Sequence, residues 1–260
     1  MSKILTDKES AEKLVYIAIY AARIMLESGA EIYRVEDTAA RICGSYENVQ
    51  SIDVFSTYTV IIVSMVYDNK VFSSMKRIKL LSINLDKISK VNDFSRQFVQ
   101  GNIDFENSYE ILKKINAESG YSERLRIISL SLVGFGFTMM FGGSVRAGLC
   151  SILVVFIEVL TLFKLKEYKL QMFGNALIGA LVASSVACIL MKLGIAEDLD
   201  KIIIGSIMPL VPGMSITNSI RDLMSGDTLS GMSGIMMAIL IAVAIALGVG
   251  IVLSIYVGGM

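Results

Sequence analysis

The sequence contains no histidine, three isolated cysteines and only two prolines. Without histidine, imidazole catalysis, histidine metal ligation and histidine proton relays are excluded. Cys43, Cys150 and Cys188 show no metal-ligand spacing. Positive charge is not in excess, since 24 Lys and Arg balance 24 Asp and Glu, and this argues against a nucleic-acid partner. With no nucleophile–base pair or phosphate loop either, we predict no enzyme activity, no metal and no cofactor.

Charge is also scarce in the second half of the chain. Residues 1–126 hold 17 Lys and Arg and 17 Asp and Glu, whereas residues 127–260 hold 7 of each. This asymmetry predicts a soluble domain over residues 1–123 and a transmembrane domain over residues 124–260.

Helical and strand patterns alternate in the soluble half and predict a small α/β domain with the order α-α-β-β-(β)-α-α. Asp68 and Asn69 separate two β-rich segments and are predicted to form a turn, in a β-hairpin or a short meander. The predicted helices cover residues 9–28, 31–43, 85–101 and 107–119, and the predicted strand segments cover 52–66 and 70–78.

One segment of the soluble half concentrates charge beside a tight turn. It includes Ser28, Gly29, Glu31, Arg34 and Glu36. One interpretation makes it a recognition or gating site. The other makes it an ordinary helix start, because acidic residues favour the first turn and Glu31 can pair with Arg34 at i,i+3.

Apolar runs in the second half predict a helical bundle of about five membrane spans. The predicted spans cover residues 125–141, 148–163, 173–193, 202–213 and 235–257. Pro209, Pro212 and Gly213 break the fourth span, and Gly142 and Gly143 separate the first two. Backbone groups freed by a break inside a bilayer must find partners in protein or in a water-filled cavity. The broken span is therefore more typical of a transport pathway than of a simple anchor.

Three polar residues follow the break directly. Asn218 offers neutral hydrogen bonds, Arg221 could hold a substrate carboxylate bidentately, and Asp222 could meet an ammonium group or pair with Arg221. The alternative is a helix whose charges simply lie at the cytoplasmic interface.

Glu158 is the one carboxylate well inside an uninterrupted predicted span. Ionisable residues within a membrane are costly and usually face a cavity or a partner. Glu158 could therefore carry a proton during transport. Alternatively, it reaches toward the interface near Lys164.

Loop charges predict the orientation. Lys164, Lys166 and Lys169 place one loop in the cytoplasm, whereas the acidic loop 194–200 is expected outside. The soluble domain is then cytoplasmic and the C-terminus lies outside. Arg146 lies on the wrong side for this rule, so we expect it to have a local partner or an aqueous setting.

A stripe of small residues recurs every four positions in the fifth predicted span. It consists of Gly234, Ala238, Ala242, Ala246 and Gly250. Such a stripe predicts close approach of another helix, from this chain or from a second subunit.

Two segments together resemble the threonine/serine exporter family, in particular its N-terminal module. The first is Ser28-Gly29-Ala30-Glu31-Ile32-Tyr33-Arg34-Val35-Glu36. The second runs from Pro209-Leu-Val-Pro-Gly213 to Asn218-Ser-Ile-Arg-Asp-Leu223. The resemblance covers nearly the whole chain. It departs after Gly142 and Gly143, where Ser144 and Val145 replace the acidic or aromatic residue of many relatives.

The resemblance implies a secondary exporter in the inner membrane that moves small hydrophilic metabolites and draws on the proton motive force. Threonine and serine are the named substrates, and a split version is linked to dicarboxylates such as succinate. Split members need a second small membrane subunit, so we expect that partner, an oligomer and the lipid bilayer. The alternative is a membrane-tethered regulatory or assembly protein that acts through its cytoplasmic domain.

Overall fold

The computed structural model describes residues 3–78, 82–168 and 170–258, without the side chain of Glu167. The chain divides into two compact units. One contains the residues up to Gly120 together with 214–235, and the other contains 121–213 together with 236–260. Lys169, counted above in the basic loop, lies outside the described residues.

The first unit contains four helices and three strands from the N-terminal part of the chain, in the predicted order. The helices are α1 (Lys8–Glu27), α2 (Ile32–Cys43), α3 (Leu85–Gln100) and α4 (Ser108–Ala117), and the strands are β1 (Val49–Thr57), β2 (Val60–Tyr67) and β3 (Lys70–Arg77). The four predicted helices are confirmed to within two residues at each end.

The three strands form an antiparallel meander in the order β1-β2-β3. Asp68 and Asn69 form the predicted turn, with φ values of 51° and 54° that the tight two-residue hairpin requires. The predicted segment 52–66 contains two strands, because the chain turns at Tyr58 and Thr59 between β1 and β2, and the optional third strand of the predicted order is therefore present. Tyr and Thr favour strands, so this turn has no compositional signal.

The core of this unit is built around α1. Its buried residues lie on all sides of the helix, so the other elements enclose it. They are Ala11, Leu14, Val15, Ile17, Ala18, Ile19, Ala21, Ala22, Ile24, Met25 and Leu26. The central strand adds Ile61, Val63 and Met65, which alternate toward the same core.

The remaining helices include the apolar half of the chain. They are α5 (Glu123–Met140), α6 (Val145–Leu165), α7 (Met172–Lys192), α8 (Leu199–Ile207), α9 (Gly213–Met224) and α10 (Thr228–Gly258). Short 3₁₀ turns follow α6 and α8, at Lys166–Tyr168 and Met208–Leu210.

Among the described residues, three helices are long and apolar enough to cross a membrane, namely α6, α7 and α10. A fourth span is obtained if α8 and α9 form one broken span. The first predicted span corresponds to α5, whose 18 residues include Glu123, Arg124 and Arg126. Three charges in the minimum spanning length keep α5 out of this group, so five spans are not confirmed.

The small-residue stripe on α10 is only partly buried. Gly234 and Ala238 are buried, but Ala242, Ala246 and Gly250 are exposed. Each step of four residues advances about 400° around a helix with 3.6 residues per turn, so the stripe drifts off the contact face. The close approach to α7 occurs instead at Gly248, where an added Cβ would lie 2.8 Å from the Cβ of Ala180.

Arg146 has the local partner that its position demanded. Its guanidinium donates to the carbonyl oxygens of Gly194 and Ile195, each at 2.7 Å. These carbonyls follow the end of α7, where a cation is favourable. Arg146, which departs from the positive-inside rule in the predicted orientation, is therefore bound by two backbone carbonyl groups.

Candidate functional site

The two segments that carry the family resemblance meet in the first unit. Side chains of α9 contact the start of α2 and the β1–β2 turn. We call this group the α2–α9 cluster. Its members are Glu31, Arg34, Tyr58, Asn218, Ser219, Arg221 and Asp222.

The cluster is built on the link between α1 and α2. Gly29 ends this turn with φ at +83°, a conformation that favours glycine. Its carbonyl accepts a hydrogen bond from the Asn218 amide at 2.9 Å. The backbone N–H of Ser28 caps the end of α1. The Ser28 carbonyl oxygen accepts a hydrogen bond from the Asn84 N–H at 3.0 Å. The predicted turn is thus held to α9 and to the start of α3.

Asp222 supplies the cap that α2 lacks locally. Glu31 occupies the N-cap position of α2, but its side chain makes no capping hydrogen bond. The Ile32 N–H donates instead to Asp222 Oδ1 at 3.2 Å. The Asp222 side chain is fully buried, and a carboxylate at a helix start is favoured by the helix dipole.

Glu31 lies between two arginines. Arg34 donates to Glu31 Oε2 at 3.2 Å, as the i,i+3 interpretation predicted, and Arg221 forms an ion pair with Oε1. The Glu31 side chain is 9% exposed, so both pairs compensate a nearly buried charge. The suggested pair between Arg221 and Asp222 is wrong, because each residue has a different partner in the N-terminal residues.

Tyr58 completes the cluster and was not anticipated from the sequence. Its hydroxyl donates to Asp222 Oδ2 at 2.9 Å and lies 3.4 Å from Ser219 Oγ. Burial raises the pKa of Tyr58 to about 12, so the hydroxyl remains a donor at neutral pH. A Cβ at Gly234 would overlap the Ser219 hydroxyl and lie 3.0 Å from the Tyr58 ring, so only glycine fits there.

Glu36 faces the sheet rather than the cluster. Its carboxylate accepts the Ser56 N–H at 2.6 Å. Burial raises the pKa of Glu36, and the backbone hydrogen bond from Ser56 opposes that rise. The last acidic residue of the segment therefore anchors α2 to β1.

Glu158 occupies a different environment in the second unit. Its side chain is completely buried, and neither carboxylate oxygen has a hydrogen-bond partner among the described residues. A Cβ at Gly179 of α7 would lie 3.3 Å from Glu158 Oε1 and also touch Leu210. The alternative in which Glu158 reaches out near Lys164 is wrong, because the carboxylate faces the interior between helices.

The glycines and prolines predicted for the pathway lie at two chain breaks. Gly142, with φ at +81°, ends α5, and a Cβ at Gly143 would be 2.8 Å from the Thr138 side chain. Pro209 lies in the 3₁₀ turn after α8, while Pro212 immediately precedes Gly213 at the start of α9. Glycine and proline at these positions are explained by the turns and close contacts of the two chain breaks. Their part in a transport pathway stays a prediction.

The part of the chain that the structure describes contains no group of His, Cys, Asp and Glu side chains arranged to hold a metal ion. Two features of the described residues carry chemistry: the buried Glu158 carboxylate, which has no hydrogen-bond partner, and the paired charges of the α2–α9 cluster. The first can exchange a proton or meet a cation, and the second can open and close ion pairs.

Comparison with known proteins agrees with the sequence resemblance. Residues 16–256 match the family model described as "Putative threonine/serine exporter". A Mycobacterium tuberculosis protein named "Probable threonine/serine exporter" is 22% identical over 265 residues, which cover 96% of this chain and 50% of the relative. The chain thus spans about half the length of that relative. No solved structure matches. The chain belongs to the threonine/serine exporter family and, with its long apolar helices, is a multi-pass membrane protein.

Proposed function

We propose that this chain forms part of a secondary exporter that moves small hydrophilic metabolites out of the cell, with the proton motive force as the energy source. Threonine and serine are the first substrates to test, because the family and the mycobacterial relative carry those names. Dicarboxylates such as succinate are the second.

The observation that carries the proposal is the buried carboxylate of Glu158. A carboxylate inside an apolar spanning helix is costly unless it is protonated or meets a cation. Glu158 lies on α6, one of the helices long enough to cross a membrane, and has no partner among the described residues. A buried carboxylate that can gain and lose a proton is what a proton-coupled transport cycle needs.

The arrangement in the membrane follows from loop charge. We propose that α5 forms a fifth span, with its charged start at the cytoplasmic interface. The N-terminal domain and the loop after α6 would then be cytoplasmic, and the loop after α7 would face outward. The remaining half of the exporter, which the relative carries in one chain, would come from further residues or from a second membrane subunit.

Efflux of radiolabelled serine and threonine from proteoliposomes tests the function. The preparation should include the second half of the exporter, and a pH gradient should be imposed. We expect Glu158→Gln to abolish the acceleration of efflux by the gradient, because the amide cannot exchange a proton.

The matched control is Glu123→Gln, which alters a carboxylate that is 67% exposed at the start of α5. It should leave the gradient dependence unchanged. Equal efflux from wild type and Glu158→Gln at every pH gradient would remove Glu158 from the mechanism. Absence of efflux for all substrates in wild type would remove the exporter function.

A second candidate is a membrane-tethered regulatory or assembly protein. The α2–α9 cluster favours it, because α9 is held tightly by residues of the N-terminal part of the chain. In that case deleting the chain from cells would leave serine and threonine efflux unchanged, while the exporter proposal expects efflux to fall to background.

A further inference from the structure

A polar cleft lies between α2 and α3 on the first unit, apart from the residues used above for transport. It has a volume of about 270 Å³. Its lining includes Arg34, Asp37, Thr38, Arg41, Ser95 and Arg96. We call it the arginine cleft.

The cleft brings guanidinium groups together. Arg34, Arg41 and Arg96 line it with Asp37, and each arginine has one carboxylate partner, so the lining and its partners together carry no net charge. Guanidinium groups bind carboxylate and phosphate oxygens in a bidentate manner and remain charged at all physiological pH values. Three guanidinium groups that converge on one cleft suit a small anion with two negative charges, provided that they can leave their present partners.

The arginines can be recruited from their present partners at low cost. Arg41 pairs with Asp37 at 2.5 Å, and Arg96 pairs with Asp93. The four side chains are 49–60% exposed, and such exposed pairs along one helix contribute little to stability. A bound dianion would therefore replace weak contacts with stronger charge-assisted hydrogen bonds.

The size of the cleft limits the ligand. Drug-sized ligands occupy pockets of roughly 300–1,000 Å³, so this cleft suits a smaller molecule. The hydroxyl-bearing lining residues Thr38 and Ser95 are buried, at 4% and 3% exposure. Their hydroxyls can add hydrogen bonds to ligand oxygens.

Arg34 connects the cleft to the α2–α9 cluster. It lines the cleft and also pairs with Glu31, whose other oxygen pairs with Arg221 of α9. Because Glu31 has a second cation, Arg34 can turn toward an anion without leaving a nearly buried carboxylate unpaired.

We propose that the arginine cleft binds a small dianion with phosphate or carboxylate oxygens, and that binding withdraws Arg34 from Glu31. The ligand would thereby alter the ion pair by which the N-terminal domain holds α9. This is a binding site distinct from the proposed transport residue Glu158, and it does not depend on the exporter function.

Isothermal titration of the full-length chain in detergent tests the site, with inorganic phosphate and malonate as separate probes at constant ionic strength. We expect saturable binding of at least one probe. Phosphate alone would identify a phosphoryl ligand, and malonate alone a dicarboxylate. Lack of saturable binding of both probes overturns the proposal.

Substitution of the cleft arginines tests whether the anion binds in the arginine cleft. Arg41→Gln and Arg96→Gln should each weaken the affinity about tenfold, since each removes one charged donor pair. The matched control is Arg23→Gln, which removes an arginine paired with Glu27 at i,i+4 on α1, away from the cleft. Equal loss in the control, or no loss in the cleft variants, overturns the proposal.

The link to Glu31 has its own test. Glu31→Gln frees Arg34 from its ion pair, so we expect the anion to bind several-fold more tightly than to wild type. Unchanged or weaker binding in this variant would show that Arg34 is not shared between the cleft and the cluster.

Discussion

Asp222 is the residue on which the α2–α9 cluster depends most. Its two oxygens accept from the Ile32 N–H and the Tyr58 hydroxyl, and its side chain is fully buried. The sequence marked Asp222 as chemically interesting, but Arg221, one of its two suggested partners, pairs with Glu31 instead. Contacts between residues about 190 positions apart leave no trace in local spacing, whereas the i,i+3 pair of Glu31 and Arg34 does.

Removing the Asp222 carboxylate should destabilise the first unit. Asp222→Ala leaves the Ile32 N–H and the Tyr58 hydroxyl without their acceptor, at a cost of roughly 1–3 kcal/mol. We expect a lower midpoint of thermal unfolding in detergent. Asp53→Ala, at an exposed position in β1, is the control and should change stability by less than about 0.5 kcal/mol. Equal midpoints for the two variants would contradict the prediction.

The raised pKa of Glu36 predicts how the stability of the first unit depends on pH. Burial raises its pKa above the unfolded value of about 4.5, so the folded state holds the proton more tightly than the unfolded state. The resulting stability is present below pH 4.5 and is lost as pH rises through the raised pKa. Glu36→Gln keeps an oxygen to accept the Ser56 N–H and does not titrate.

The stability of Glu36→Gln relative to wild type should therefore increase as pH rises from 4.5 to 7. Thermal unfolding of both proteins at the two pH values measures this difference. A constant difference between the two proteins would mean that Glu36 titrates alike in the folded and unfolded states.

At the scale of elements, the helices were predictable and several tertiary details were not. Apolar periodicity located α1 to α4, and the positive φ values of Asp68 and Asn69 match a residue type that favours such turns. The Tyr58–Thr59 turn lacked that chemistry. The small-residue stripe meets α9 at Gly234, whereas the close contact of α10 with α7 lies at Gly248, off the stripe. Contact of the exposed stripe residues with a second subunit stays a prediction.

The contact between α7 and α10 can be tested by paired glycine substitutions. Gly248→Ala places a methyl group 2.8 Å from both the Cβ of Ala180 and the carbonyl oxygen of Leu177, so the helices must separate. We expect a destabilisation of about 1–3 kcal/mol. Gly250→Ala has no atom within 4 Å and should be neutral or slightly stabilising because alanine favours helix. Unfolding midpoints in detergent compare the two, and the same midpoint in both variants would rule out this contact.

At the scale of the whole molecule, the proposed orientation can be tested by chemical labelling. Cys43, Cys150 and Cys188 are free, so replacing them in a cysteine-free background breaks no disulfide. We expect a single cysteine at position 197 to react with a membrane-impermeant maleimide on intact cells. A single cysteine at position 166 should react only after permeabilisation. The reverse pattern would invert the topology and place the N-terminal domain outside.

The length of α10 has a consequence for its membrane environment. Its 31 residues extend about 46 Å at 1.5 Å per residue, whereas a hydrocarbon core is about 30 Å thick. Even the part from Ile235 to Gly258, 24 residues, measures about 36 Å. The excess length is accommodated by tilt, by local thickening of the bilayer or by extension into the headgroup regions, and mismatch costs fractions of a kcal/mol per ångström. We therefore expect the position of α10 in the bilayer to depend on the chain length of the surrounding lipids.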